Sequence, residues 1–181
     1  MGLRLKFNLV LLLVFLLGLG VTGYESYELL HKNARDEVLR NAGVMMESAL
    51  SMRGYTVAQV RPLLQSDAET FLPQGVPAYA ATEIMTLLRK KYPDYAYKEA
   101  ALNPTNPRDR AVEWEADVVN AFRANSAQTE ITGVRETPTG PSLYLARPFL
   151  IKDPACLSCH TTPDMAPPGM VKLYGPNNGF G

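Results

Sequence analysis

The chain has 181 residues, 46% hydrophobic and 20% charged, with a formal net charge of zero. With the N-terminus set aside, that makes one domain of ordinary size, long enough to bury a real core. Balanced charge without a basic run excludes an electrostatic footprint for nucleic acid, and 14 prolines and 13 glycines predict a loop-rich second half.

Arg4 and Lys6 precede an apolar run from Phe7 to Val21, which Thr22, Gly23 and Tyr24 extend toward the roughly 20 residues a membrane span needs. Residues 1–23 are therefore predicted to be a signal-anchor or transmembrane segment that holds the protein in the membrane through residues 7–23, and residues 24–181 a domain beyond it. No small-x-small cleavage site stands out, which favours a retained anchor over a cleaved signal peptide. Basic residues on the short N-terminal side keep that side cytoplasmic. The expectation is a single pass through the inner membrane with the domain in the periplasm.

From Ser26 to Met52 there is no proline and only Gly43 interrupts. Val38, Ala42, Met45, Ala49 and Met52 recur at spacings of four and three, an apolar helical stripe. Leu39, Gly43, Met46 and Leu50 form a second seam beside it. Such a helix continues straight out of the membrane and offers a face for a homodimer.

Arg61-Pro62 ends that pattern, and 66–74 reads as loop. Pro77 opens a second helix, with Ala80, Ile84, Leu87 and Leu88 as core face and Pro93 as stop. Tyr95 to Leu102 reads as a strand. Asn106 as N-cap with Pro107 at the first position starts another helix, expected to reach about Arg123 with Val112, Ala116 and Val119 inward. Glu130 to Glu136 and Ser142 to Ile151 read as strands joined by Pro138-Thr139-Gly140-Pro141, with Pro148 at an edge or bulge. Met170 to Tyr174 reads as a further strand. Helix, helix, strand, helix, strands is the order of an α+β domain.

Cys156-Leu157-Ser158-Cys159-His160 carries the chemistry and uses both cysteines of the chain. Cys-x-x-Cys-His is the attachment signature of c-type haem. Two thiols add across the vinyl groups, and the adjacent imidazole reaches the iron as proximal ligand. Three other readings compete. A thioredoxin-like redox pair should open a helix after a buried strand, but Thr161-Thr162-Pro163 is poor ground for one. A zinc site needs four ligands, and the chain holds two Cys and two His, His31 lying far upstream. A plain disulfide leaves His160 without a role. One covalent haem c accounts for all three residues. For the iron's other face the candidates are Met45, Met46, Met52 and His31, with Met165 and Met170 close to the loop. Methionine on a helix is more often core filler than ligand. Arg53 and Arg147 could pair with haem propionates.

Taken in order, Arg53-x-Tyr55-Thr56, Asn103-Pro104-x-Asn106-Pro107, Trp114-Glu115, Ala146-Arg147-Pro148, Cys156-x-x-Cys159-His160, Ala166-Pro167 and Tyr174-Gly175-x-x-Asn178-Gly179-Phe180-Gly181 form a set. That set resembles the Tll-like c-type haem sensor domain family, over roughly Tyr24 to Gly181. The resemblance implies an antiparallel PAS-like sheet with flanking helices, behind a long N-terminal helix that begins as a membrane segment. It also implies a periplasmic input region of signalling receptors, carrying one haem. Its distal ligand is placed on the long N-terminal helix, which brings Met45 and Met46 forward. Relatives continue past the Gly-Phe-Gly turn, so an ending on Asn177-Asn178-Gly179-Phe180-Gly181 is what a fragment or a shortened protein would show.

Three function classes follow. The first is a redox or small-gas sensor, in which the helix at the iron also enters the bilayer. The second is a monohaem cytochrome that passes electrons to a redox partner, for which a permanently six-coordinate iron is suited. An enzyme ranks last, because no nucleophile stands with its base. The expectation is a sensor and not an enzyme.

Overall fold

A computed structural model describes residues 2–64, 70–138, 140–151, 154–157 and 159–176. Its contacts divide the chain into Met1–Ala42 and Gly43–Gly181. The calls on residues 66–69, on Thr139 and on Asn177 to Gly181 lie outside the described residues.

Helix α1 runs from Leu3 to Tyr55. The large apolar side chains of its first part, from Leu3 through the Phe7 to Val21 run to Val38, are exposed, and the helix is long and apolar enough to cross a membrane. Just past the Phe7 to Val21 run, Thr22 Oγ1 donates to the Gly18 carbonyl at 2.8 Å. Beyond it the helix turns polar, and Arg40 pairs with Glu37 at 3.3 Å.

In the second unit α1 supplies the stripe that the spacing predicts. Ala49 is fully buried, with Ala81 and Met85 beside it and Met45, Leu88 and Tyr97 packed around them. Two alanines at this contact let α1 and α2 (Pro77–Lys91) approach closely. The inner face of α2 is thus Ala81, Met85 and Leu88, and Ile84 and Leu87 are exposed. Pro62 cannot donate to a helical ladder, and α1 gives way to a π-helical turn at Thr56–Val60 and a 3₁₀ turn at Arg61–Leu63.

Two expected elements are cut short for one shared reason. The Ala101 N–H donates to the Asp109 carbonyl and the Ala111 N–H to the Ala101 carbonyl, both at 2.9 Å. Among the described residues that isolated bridge is the strand pairing in Tyr95–Leu102, and it takes up the backbone on which a helix from Pro107 would run. Asn106 does cap, accepting from the Arg108 N–H at 3.2 Å, but only a 3₁₀ turn at Pro107–Asp109 follows. Helix α3 starts afresh at Glu113 and ends at Ala124. Glu115 reaches back to the Val112 N–H at 2.9 Å, and Val112 is exposed.

Strands β1 (Ile131–Thr137) and β2 (Gly140–Ala146) form a two-stranded antiparallel sheet, Ile131 facing Ala146 and Thr137 facing Gly140. Gly140 sits at φ 110°, which only glycine adopts without strain. Gly133 lies opposite Tyr144, whose ring occupies the space a Cβ would need. That ring meets Trp114 of α3 at 5.3 Å between centroids. Pro148 lies past the end of β2.

Two short helices close the described chain, α4 (Pro154–Leu157) and α5 (Pro168–Tyr174). The stretch read as a strand at Met170–Tyr174 is helical because Pro168 opens it and Gly175, at φ 84°, ends it. Ala166 and Met170 are buried there, with Phe71, Cys159, Val171 and Tyr174 packed against them. The domain is therefore a mix of helices with a small antiparallel hairpin.

Candidate functional site

The Cys-x-x-Cys-His segment is wound by its own backbone. The N–H groups of Cys159 and His160 both donate to the Cys156 carbonyl, at 3.1 and 2.9 Å. Cys156 belongs to the single turn of α4, so Cys159 and His160 return over that turn instead of extending away. The two thiols are half-buried and not joined to each other. Cys159 leans on the Ala166–Met170 cluster, which fixes one end of the loop.

His160 is half-buried. Burial, and secondarily the positive charge of Arg53, hold its imidazole below the ordinary histidine range. At neutral pH the ring is therefore neutral, the form that ligates a metal. Two thiols and a neutral imidazole in one wound turn are the donor set that thioether attachment and axial ligation use, so these residues fit a c-type haem. Among the described residues no three His, Cys, Asp or Glu side chains converge on a point.

Arg53 stands on α1 and forms an ion pair with Glu99. Its guanidinium carbon lies 3.9 Å from the centre of the Phe149 ring. Tyr97 Oη donates to the other Glu99 oxygen at 2.9 Å. Arg147 donates to Glu47 at 2.6 Å through Nη1 and to Glu130 at 2.9 Å through Nε. Both arginines thus have carboxylate partners from the protein itself.

The methionines separate. Met45 packs into the Ala49–Ala81–Met85 cluster. Met46 is half-buried and stands seven residues before Arg53, which on a helix leaves the two only about 20° apart in direction. Met52 instead lines an open groove of about 650 Å³ with Val44, Ser48, Ser51, Tyr55 and Arg147. Met170 is buried as core, and Met165 is 72% exposed. His31 is exposed in the first unit, its ring 4.3 Å from that of Tyr27.

Glu99, Tyr97 and Phe149 are the surroundings of Arg53 that sequence reasoning misses. Glu99 is 46 residues from Arg53, and no spacing rule joins residues that far apart. A family model described as Tll0287-like matches residues 31–181. No curated protein and no solved structure matches the chain.

Proposed function

The chain belongs to the Tll0287-like family, and from that premise we propose that it is a membrane-anchored c-type haem protein whose periplasmic domain senses redox state or a small gas. The observation that carries this is the wound Cys156–His160 turn, with two thiols beside a neutral, half-buried imidazole. Cys156 and Cys159 would hold one haem by thioether bonds, and His160 would take the proximal side of the iron. When bound, the haem supplies one-electron redox chemistry and a place for a diatomic gas. The region from residue 24 is read as a PAS-like domain in which β1 and β2 contribute to the sheet.

Met46 is the favoured donor for the opposite side, because it shares a helix face with Arg53 while Met45 is committed to the core. The helix that carries Met46 also carries the apolar segment. Loss or exchange of that donor would therefore act on the element that enters the bilayer, with no relay in between. Arg4 and Lys6 keep the N-terminus cytoplasmic and the domain outside. We read the protein as a non-enzyme.

The experiment is a visible spectrum of protein matured in a c-haem-attaching host, with single and double methionine variants. Met46→Ala should shift the spectrum and admit carbon monoxide quickly. Met45→Ala should leave the spectrum alone and cost packing, about 2–5 kcal/mol. An unaltered spectrum in both single variants and in the double variant would remove the helix from the coordination sphere. An iron that keeps both axial donors in either redox state and binds no carbon monoxide would instead identify an electron carrier.

A further inference from the structure

Cys159 has a defined seat in the domain. Its side chain packs on the buried Ala166 and Met170, and Phe71 and Tyr174 pack on the same two residues. The Phe71 and Tyr174 rings meet edge to face, with centroids 6.1 Å apart and planes at 75°. Phe71 precedes the 3₁₀ turn at Pro73–Gly75, and Tyr174 is the last residue of α5, so two distant segments bring the pair together. Both rings are half-buried, and part of each still faces solvent. The apolar surface does not stop at the pair. Leu72, Met165 and Leu173, each next in the chain to a member of the cluster, are exposed. Leu157, in the turn that carries Cys156, is exposed as well. Exposed apolar side chains where several segments meet mark a surface that takes a partner.

We propose that Phe71 and Tyr174 form the aromatic wall on which the porphyrin tied to Cys159 seats. This rests on the haem reading above. A thioether joins the sulfur directly to the edge of the ring system, so the porphyrin must begin where Cys159 packs. Ala166 and Met170 are already buried there, and the two half-open rings are what remains to be covered. A flat apolar group gains by lying on aromatic surface of that kind and withdrawing it from water. The wall would also keep solvent from that edge of the porphyrin, and the apolar shell around a metal group sets how strongly water acts on it. The tether identifies the occupant. A second copy of the chain laid on the same leucines would have no bond at Cys159.

The test is fluorine NMR of the full-length, haem-loaded chain labelled with fluorotyrosine, with Tyr174→Phe to identify the resonance. Unpaired spin on oxidised iron shifts and broadens nearby nuclei, and the effect falls steeply with distance. The Tyr174 resonance should therefore move and broaden between the reduced and the oxidised protein. Phe71→Leu keeps apolar bulk but removes the ring that would couple to the porphyrin transitions. It should retain haem and lose part of the Soret circular dichroism. Rings that only pack the core would leave both signals alone. Should Phe71→Leu fail to load haem, the Tyr174 resonance, read in the parent chain, decides the matter. In protein that carries haem, a Tyr174 resonance unmoved by oxidation, or an unchanged Soret signal in Phe71→Leu, overturns the proposal. A Tyr174 resonance that answers to protein concentration instead of oxidation also overturns it and gives the surface to a second copy. A parent chain that holds no haem overturns the haem reading first and this inference with it.

Discussion

The cluster of Ala49, Ala81 and Met85 is made where two helices of several turns cross, whereas that of Ala166 and Met170 is assembled from Phe71, the Cys159 turn and the seven residues of α5. In the first, each helix already satisfies its own backbone, and an alanine from each is fully buried at their contact. In the second, the pieces are a turn or two long and punctuated by proline. Such pieces are marginal by themselves and are held by what they pack against. The difference shows where a bound group would matter. The helical cluster is complete without one, while the loop cluster would gain packing partners from a group tied through Cys156 and Cys159 and buried against it.

The comparison can be broken most directly by truncating a methionine in each cluster. Met85→Ala and Met170→Ala should each cost about 2–5 kcal/mol in the haem-free chain, since both side chains are buried. In denaturant unfolding of the haem-loaded protein the Met85→Ala cost should be unchanged and that of Met170→Ala smaller. Equal costs in both forms would show that the loop cluster owes nothing to the attached group.

A substitution outside both clusters sharpens the same point. In Gly133→Ala the new methyl would stand 2.6 Å from the Tyr144 oxygen as now placed, so the ring must swing off Trp114. We expect a loss of about 1–3 kcal/mol and a changed emission from the single tryptophan, with haem content as in the parent. A variant that lost haem as well would tie the hairpin to the loop cluster.

The smallest effect concerns Asp109, outside both clusters. Burial raises its carboxyl above the ordinary carboxylate range, although Arg108 pulls the other way. As pH rises from the ordinary carboxylate value, the unfolded chain releases this proton before the folded one. Stability contributed by Asp109 therefore falls through that window and stays lower above it. Asp109→Asn should remove that fall, so that its stability relative to the parent rises with pH through the acid window, and it should be no less stable at neutral pH. An acid limb parallel to that of the parent would contradict the sign.

Sequence reading reached the features that depend on local rules. Pro77 and the last turn before Tyr92 bound α2, and the period of apolar residues placed Met45 and Ala49 on the inner stripe of α1. It failed where a distant partner decided the outcome. Asn106-Pro107 carries every signal of a helix start, yet the hydrogen bonds of Ala101 to Asp109 and Ala111 hold that backbone elsewhere. At Met170–Tyr174 the apolar run outweighed the Pro168 and Gly175 signals that would have given the helix. In the candidate site the two cysteines and His160 were legible because their chemistry requires fixed spacing. Glu99, Tyr97 and Phe149 were not, because their relation to Arg53 exists only in three dimensions.

The account stands on Cys156 and Cys159 holding a haem, and the mass of the denatured chain tests that most directly. Protein purified from a host that matures c-type haem should weigh one haem more than the bare polypeptide and keep its colour on a denaturing gel. The Cys156→Ala, Cys159→Ala double variant should return to bare-chain mass and lose the colour. A parent chain of bare mass, colourless once denatured and with both thiols open to alkylation, would contradict it.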